Sequence, residues 1–443
     1  MSSYVVKKTP GDTAWFRHDR FGMFIHFGLY SLPARWEWMQ SYEFTKKEDY
    51  QKYFDNFNPD LFDAKEWARQ AKAAGMKYAV LTTKHHEGFC LFDSKYTDFK
   101  STNTPFGRDI VREFVDAFRA EGIRIGLYYS LLDWNHDDYP IDRVHPRRTD
   151  EDAEQQDKGR DMTKYAQYMR DQVTELLTNY GKIDILWLDF SYTRPDFEKK
   201  FHKPWMQFDG LRGKEQWESD KLIALIRSLQ PNIIINNRAD VKQDLWTPEQ
   251  FQPTEWVHDS DDNELVPWEA CHTFSGSWGY FRDEMTWKSD KMLIDMLVNT
   301  VALGGNLIMN VGPTGRGYFD YRAENALKAY ADWMKYNSRS IYGCTMAEPE
   351  FKAPEGTKIT QSEDGKRLYI HLQTYPFGKI AMDGLHGKVA YAQFLHDASV
   401  IEFKESYTVM DNGVNKEMTD KTFFSLPTVA PKMISPVIEV FLK

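Results

Sequence analysis

Trp187-Leu188-Asp189-Phe190 closes an apolar run that begins at Ile183, and it leaves one carboxylate at the end of that run. Residues 183–188 are apolar enough to be covered on both faces, as the parallel strands of α/β barrels are. In such barrels the groups that do chemistry sit at strand C-termini. Taken alone, Asp189 reads equally well as the cap of a following helix. Its company shifts the balance. Other apolar runs end in Ile25-His26-Phe27-Gly28, Thr83-Lys84-His85-His86-Glu87-Gly88, Tyr128-Tyr129-Ser130 and Asn236-Asn237-Arg238. Brought to one barrel mouth, these groups form a polyol-binding inventory: imidazoles, a guanidinium and aromatic faces suit a ligand with many hydroxyls and one apolar ring face. Three histidines also raise the question of a metal. Strand neighbours such as His85 and His86 point to opposite sides, and no His-x-His or His-Glu-x-x-His pair is present, so no metal and no other cofactor is expected.

The elements that must position these residues alternate along three quarters of the chain, as in a parallel α/β architecture. Strands are expected at residues 23–27, 78–83, 123–129, 183–188, 233–236 and 306–310. Between them a helix starts near Asp63 and stops at Gly75, and another runs from Asp109 to Ala120 before Gly122. Tyr165, Met169, Val173, Leu176 and Tyr180 form a helical stripe closed by Gly181, and Leu222, Leu225, Ile226 and Leu229 form another before Pro231. A later stripe is carried by Leu327, Tyr330 and Met334. Two charged stretches, 136–161 and 194–217, are too long for ordinary connections and are expected as surface insertions on the active-site face or as solvated loops. After Tyr342 the pattern changes to alternating strands at 367–373, 390–395 and 437–442. The expected division is a catalytic (β/α)-barrel over 1–341 and a C-terminal β-sandwich over 342–443.

Composition narrows the function classes. The 443 residues carry 56 basic and 66 acidic side chains, a formal net charge of -10, which argues against a phosphate-tracking surface and hence against nucleic acid. Three widely spaced cysteines, Cys90, Cys271 and Cys344, suggest neither a disulfide framework nor a Cys-based zinc site. The first residues lack the apolar core of a signal peptide, and no stretch approaches the roughly 18 apolar residues of a membrane span. A soluble and cytoplasmic protein is expected, unless a leader precedes the chain as given, with no membrane partner; a homo-oligomer remains an option.

The same residues resemble those of family 29 glycoside hydrolases, the α-L-fucosidases. The matching stretches include Phe21-Gly22-Met23-Phe24-Ile25-His26-Phe27-Gly28, Glu37-Trp38, Lys84-His85-His86-Glu87-Gly88-Phe89, Gly126-Leu127-Tyr128-Tyr129-Ser130, Trp187-Leu188-Asp189, Asn236-Asn237-Arg238, Trp268-Glu269-Ala270-Cys271, Ser277-Trp278-Gly279-Tyr280 and Gly304-Gly305-Asn306-Leu307. The resemblance implies an irregular (β/α)8-like barrel of TIM type followed by a β-sandwich, no metal, and hydrolysis of terminal α-L-fucosides with retention of configuration. It implies Asp189 as nucleophile and His26, Glu37, Trp38, His85, His86, Tyr128, Trp187, Arg238 and Trp278 as sugar-binding residues. Fucosylated oligosaccharides or glycoconjugates would be the partners. Two departures stand out: Glu87 where the family usually has Asp, and Pro267 where it has Lys.

Retaining hydrolysis needs a second carboxyl group that protonates the leaving oxygen and later activates water. Glu249, in Trp246-Thr247-Pro248-Glu249, follows Arg238 at a spacing similar to that of the acid/base in related enzymes and is preferred. Glu269 is the alternative. Each has a plain structural reading, Glu249 as the cap of a turn and Glu269 as the partner of a buried histidine or arginine. Alternatives to hydrolysis on the same scaffold are a transfucosidase, an α-L-galactosidase-like activity, since an extra hydroxyl is only modestly rejected, and a non-catalytic fucose-binding protein.

Overall fold

Seven parallel strands surround a common axis in a computed structural model that describes residues 3–194, 199–411 and 413–443. They are β1 (Phe21–Ile25), β2 (Tyr78–Lys84), β3 (Arg124–Ser130), β4 (Ile185–Asp189), β5 (Ile234–Ile235), β6 (Glu269–Thr273) and β7 (Asn306–Val311). Their order is β5-β4-β3-β2-β1-β7-β6. Side chains alternate across the sheet. Phe24, Val80, Tyr128, Trp187, Cys271 and Ile308 fill the barrel interior. Their neighbours Met23, Leu81, Leu127, Leu186, Ala270 and Leu307 pack outward under the helices. Because both faces are covered, the strands read as unbroken apolar runs.

Between β5 and β6 the ring is completed by residues 245–250, which make isolated parallel bridges from Leu245 to Asn236, from Trp246 to Trp268 and from Glu249 to Cys271. Asn237 N donates to Leu245 O at 3.0 Å, Glu269 N to Trp246 O at 2.8 Å and Gln250 N to Cys271 O at 3.0 Å. A regular ladder cannot run through this stretch, because Pro248 has no N–H. Gln250 adds a left-handed turn, with φ 49.

The outer helices begin where acidic side chains satisfy orphan N–H groups. Asp63 caps Ala64–Ala73, Asp109 caps Ile110–Ala120, Asp161 caps Met162–Asn179 and Asp320 caps Tyr321–Asn337. The expected first strand is displaced by two residues, since the sheet leaves off at Ile25 and Phe27 N turns to Thr82 Oγ1 at 3.1 Å.

The first charged insertion is packed, not solvated. Asp142 is fully buried and accepts hydrogen bonds from Tyr139 and Tyr192 and from the N–H of His145 at 2.9 Å. Arg148 donates to Ser41 O at 3.1 Å and its guanidinium lies over the rings of Phe44 and Phe201. Charge-rich sequence is compatible with burial here because each ion finds hydrogen-bonding partners. The second insertion, expected over 194–217, contributes Phe201 and the buried Trp217 to the same wall, while its residues 195–198 lie outside the described residues.

From Cys344 onward the strands are antiparallel. Cys344–Met346, Thr357–Ser362, Arg367–Leu372, Val437–Leu442 and Val389–Phe394 form one sheet, and Phe403–Lys404, Lys421–Ser425 and Lys379–Asp383 a second. Leu368, Ile370, Ile438 and Val440 of the first pack against Ile380, Met382 and Phe424 of the second, giving a sandwich. The sandwich is tied to the last barrel helix, where Trp333 Nε1 donates to Ile434 O at 2.9 Å. No helix among the described residues is long and apolar enough to cross a membrane.

Candidate active site

A cavity opens at the C-terminal mouth of the barrel, lined by Phe24, His26, Glu37, Trp38, His85, His86, Tyr128, Trp187, Asp189, Phe190, Arg238, Glu249 and Trp278. The strand periodicity explains the placement. Phe24 and Trp187 point inward, so His26 and Asp189, two residues further along, do so as well, one layer nearer the mouth. Asn236 fixes the end of β4: its Oδ1 accepts from Leu188 N at 3.1 Å and its Nδ2 donates to Leu188 O at 2.9 Å. It therefore holds the strand that carries Asp189 and does not itself line the cavity.

Asp189 accepts from Tyr128 Oη at 2.9 Å and from Arg238 Nη1 at 3.0 Å, one bond to each carboxyl oxygen. Burial pushes its carboxyl up to about 6, against the pull of Arg238 and the Tyr128 hydroxyl. At neutral pH it is ionised. The same Arg238 Nη1 meets Glu249 Oε2 at 2.6 Å, and the guanidinium lies 4.5 Å above the ring of Trp187. The two carboxyl oxygens that share this nitrogen, 3.0 and 2.6 Å from it, are at most about 5.6 Å apart, inside the ~6.5 Å minimum of an inverting pair.

Glu269 is elsewhere. It is fully buried beneath the cavity floor, accepting from Tyr78 Oη at 2.5 Å and from Trp187 Nε1 at 3.1 Å. Burial raises its carboxyl to about 7 despite both donors. Its partners are a phenol and an indole, not the histidine or arginine expected of a structural role.

His26 and His86 have assigned ring protons. Asn310 Nδ2 donates to Trp278 O at 2.6 Å, so its Oδ1 accepts from His26 Nδ1 at 2.6 Å. Ser130 Oγ donates to Leu132 O at 2.8 Å and therefore accepts from His86 Nδ1 at 2.7 Å. In both rings Nε2 is left as an acceptor. Desolvation holds both neutral, His26 down to about 3 and His86 well below the ordinary value. His85 and His86 do not diverge as strand neighbours would: their ring centroids are 4.0 Å apart and both line the cavity. The reason is local, since β2 ends at Lys84 and the chain turns, with Gly88 at φ 82 and its N–H bonded to His85 O at 3.0 Å. Among the described residues no three His, Cys, Asp or Glu are grouped to hold a metal ion.

The opposite rim comes from loops. Glu37 Oε2 accepts from Gly279 N at 2.8 Å and Trp278 N at 3.2 Å, which ties the loop after β1 to that after β6. Burial raises the Glu37 carboxyl to about 7. Trp38 packs edge-on against His86 at 4.8 Å and tilts against Phe190 at 5.3 Å.

Comparison with known proteins places this arrangement. A model of the α-L-fucosidase family matches residues 4–339. The chain belongs to the α-L-fucosidase family. Tissue α-L-fucosidase of Bos taurus is 30% identical over 399 residues, covering 82% of this chain and 75% of that protein. α-L-Fucosidase isoenzyme 1 of Paenibacillus thiaminolyticus superposes with a TM-score of 0.87 at 43% identity, covering 97% and 98% of the two chains. A family 29 enzyme of Bacteroides thetaiotaomicron, solved as a trapped covalent intermediate with 2-fluoro-fucosyl fluoride in a glutamate-to-glutamine mutant, gives 0.79 at 26% identity over 100% and 99%.

In this fucosidase-family chain the cavity gathers Asp189, Glu249 and all nine residues anticipated as sugar-binding; Glu269 is the one named residue it leaves out. Sequence reasoning missed Phe24 and Phe190, although both flank quoted motif residues, and it missed Asn310, whose signal is the inward register two residues after Ile308.

Proposed function

We propose that this chain hydrolyses terminal α-L-fucosyl linkages with retention, Asp189 acting as nucleophile and Glu249 as acid/base. The observation that carries this assignment is the guanidinium of Arg238 bonded at once to Asp189 and Glu249 at the cavity mouth. The neutral imidazoles and the hydroxyl of Tyr128 supply hydrogen bonds to sugar hydroxyls, and Phe24, Trp187 and Phe190 supply apolar faces.

In the first step an Asp189 oxygen attacks the anomeric carbon as the glycosidic bond breaks, and Glu249 gives its proton to the departing oxygen. Ester formation removes the charge of Asp189 and leaves Arg238 paired with Glu249, which takes a proton from water as that water attacks the anomeric carbon and the ester bond to Asp189 breaks. Fucose then leaves with its configuration retained.

The test is turnover of a chromogenic α-L-fucoside, with mass spectrometry of the protein after 2-fluoro-fucosyl fluoride. The expected result is one fucosyl adduct on Asp189, accumulating in Glu249→Gln. An adduct on another residue, or full activity in Asp189→Ala, would overturn the assignment.

A further inference from the structure

Behind the sugar-facing wall lies an acid that the proposed mechanism does not use. Glu87 is 1% exposed, and its carboxyl oxygens meet no side-chain donor among the described residues, only the backbone N–H groups of Leu29 and of Glu87 itself; Nδ1 of His85 has no hydrogen-bond partner among them. The two face each other, with His85 Nδ1 3.7 Å from Glu87 Oε2. That gap lies about 0.7 Å beyond a hydrogen bond, a distance that rotation of the long glutamate side chain closes. The surroundings favour a neutral carboxyl. The groups that face Glu87 are the phenols of Tyr30 and Tyr50 and the carboxylates of Asp133 and Glu37, and the buried Lys84 spends its charge on Asp133 at 3.0 Å. Burial correspondingly moves the Glu87 carboxyl well above its ordinary value, against the pull of nearby backbone N–H groups.

We propose that Glu87 is a positioning residue: as a carboxylic acid it donates its proton to His85 Nδ1 and so fixes His85 as the Nε2–H tautomer. His26 and His86 each donate from Nδ1, to Asn310 and Ser130, and offer Nε2 as acceptors. His85 then differs from both. The cavity carries one imidazole donor and two imidazole acceptors, a pattern that fixes which way each sugar hydroxyl points its hydrogen. The role demands reach. Gly28 lies so close that a Cβ there would stand 2.8 Å from Glu87 Oε1, so the carboxyl is seated against backbone.

This inference rests on reading the cavity as a fucoside site, but its main readout does not. The full chain labelled with ¹⁵N-histidine is examined by long-range ¹H–¹⁵N spectroscopy near neutral pH, with assignments from single histidine substitutions. His85 should carry its proton on Nε2, while His26 and His86 carry theirs on Nδ1. A proton on His85 Nδ1 overturns the proposal. Kinetics give a second measurement: Glu87→Gln, whose amide N–H can still donate to Nδ1, should keep kcat/KM within about threefold, while Glu87→Met should lose about tenfold, chiefly through KM. Equal values for the two variants overturn the proposal, and so does an unchanged His85 ring proton in Glu87→Met. Absence of fucosidase activity would refute the fucoside reading and leave the ring-proton result to decide this one.

Discussion

Along the wall built by β1 to β4, His26, His85, His86, Tyr128 and Trp187 are each buried at the end of a regular strand or in the turn that follows it. Across the cavity, Arg238 and Glu249 come from the irregular closure, and their side chains are 18% and 40% exposed. The first wall, proposed to meet the sugar, carries groups whose positions follow from strand register and whose polar atoms are mostly pinned from behind. The second presents an ion pair open to water, with Glu249, the proposed acid/base, on a stretch where proline interrupts the ladder. A ligand that must be recognised and a proton that must be exchanged with solvent place opposite demands on burial, and the two walls meet them separately.

The contrast breaks most severely where the walls meet. Asp189→Ala should reduce kcat on any α-L-fucoside by on the order of 10⁴-fold or more while leaving binding of free fucose within a few fold, measured by steady-state kinetics and calorimetry. On the open wall, Glu249→Ala should cost about 10²–10⁴-fold for a substrate with a poor leaving group and much less for one with a nitrophenolate, and azide should restore turnover as an α-fucosyl azide, the configuration being retained. Turnover that ignores leaving-group quality would remove Glu249 from the acid role. On the buried wall, Asn310→Leu should free the His26 ring and raise KM about tenfold with little change in kcat, because it removes one hydrogen bond that orients a ligand-facing group.

Two smaller effects concern protons. Because the Asp189 carboxyl stands at about 6, kcat/KM should fall tenfold per pH unit below that value, as the nucleophile is protonated. Glu269, raised to about 7, keeps its proton in the folded protein over a range where the unfolded chain has lost it. Stability contributed by that proton is present below the ordinary carboxylate range and is withdrawn as pH rises through about 7. Glu269→Gln cannot ionise, so its melting temperature should gain on the parent's between pH 4.5 and 7.5. A constant difference across that range would show that Glu269 is ionised throughout.

The buried wall was legible because its rule is a period of two over apolar runs. Once 183–188 reads as a strand, Asp189 and its counterparts His26 and Tyr128 fall into place, and the order of strands follows from parallel winding. The same rule misled at His85 and His86, where the strand has already ended and a glycine turn swings both rings to one side. The open wall obeys no period. Residues 245–250 contain a proline and a left-handed glutamine, and nothing in their pattern announces a stave; β5, only two residues long, was read as four. Glu249 was reached through resemblance instead. Glu269 looked equally chemical in sequence, since burial beneath Trp187 is a property of the closed barrel and not of the Trp-Glu-x-Cys motif. The insertion at 136–161 hid its burial for a related reason: Asp142 meets Tyr192 and Arg212, and Arg148 meets Ser41, on segments distant in the chain.

The isolated bridges of residues 245–250 make the barrel a ring with a seam. Insertions, deletions or exchanged segments between β5 and β6 can move the proton donor and reshape the exit for the leaving group without shifting the register of the neighbouring strands. The sugar-facing histidines would not register the change. Swapping this stretch for that of a relative is therefore the natural route to a new linkage preference on an unchanged fucose pocket.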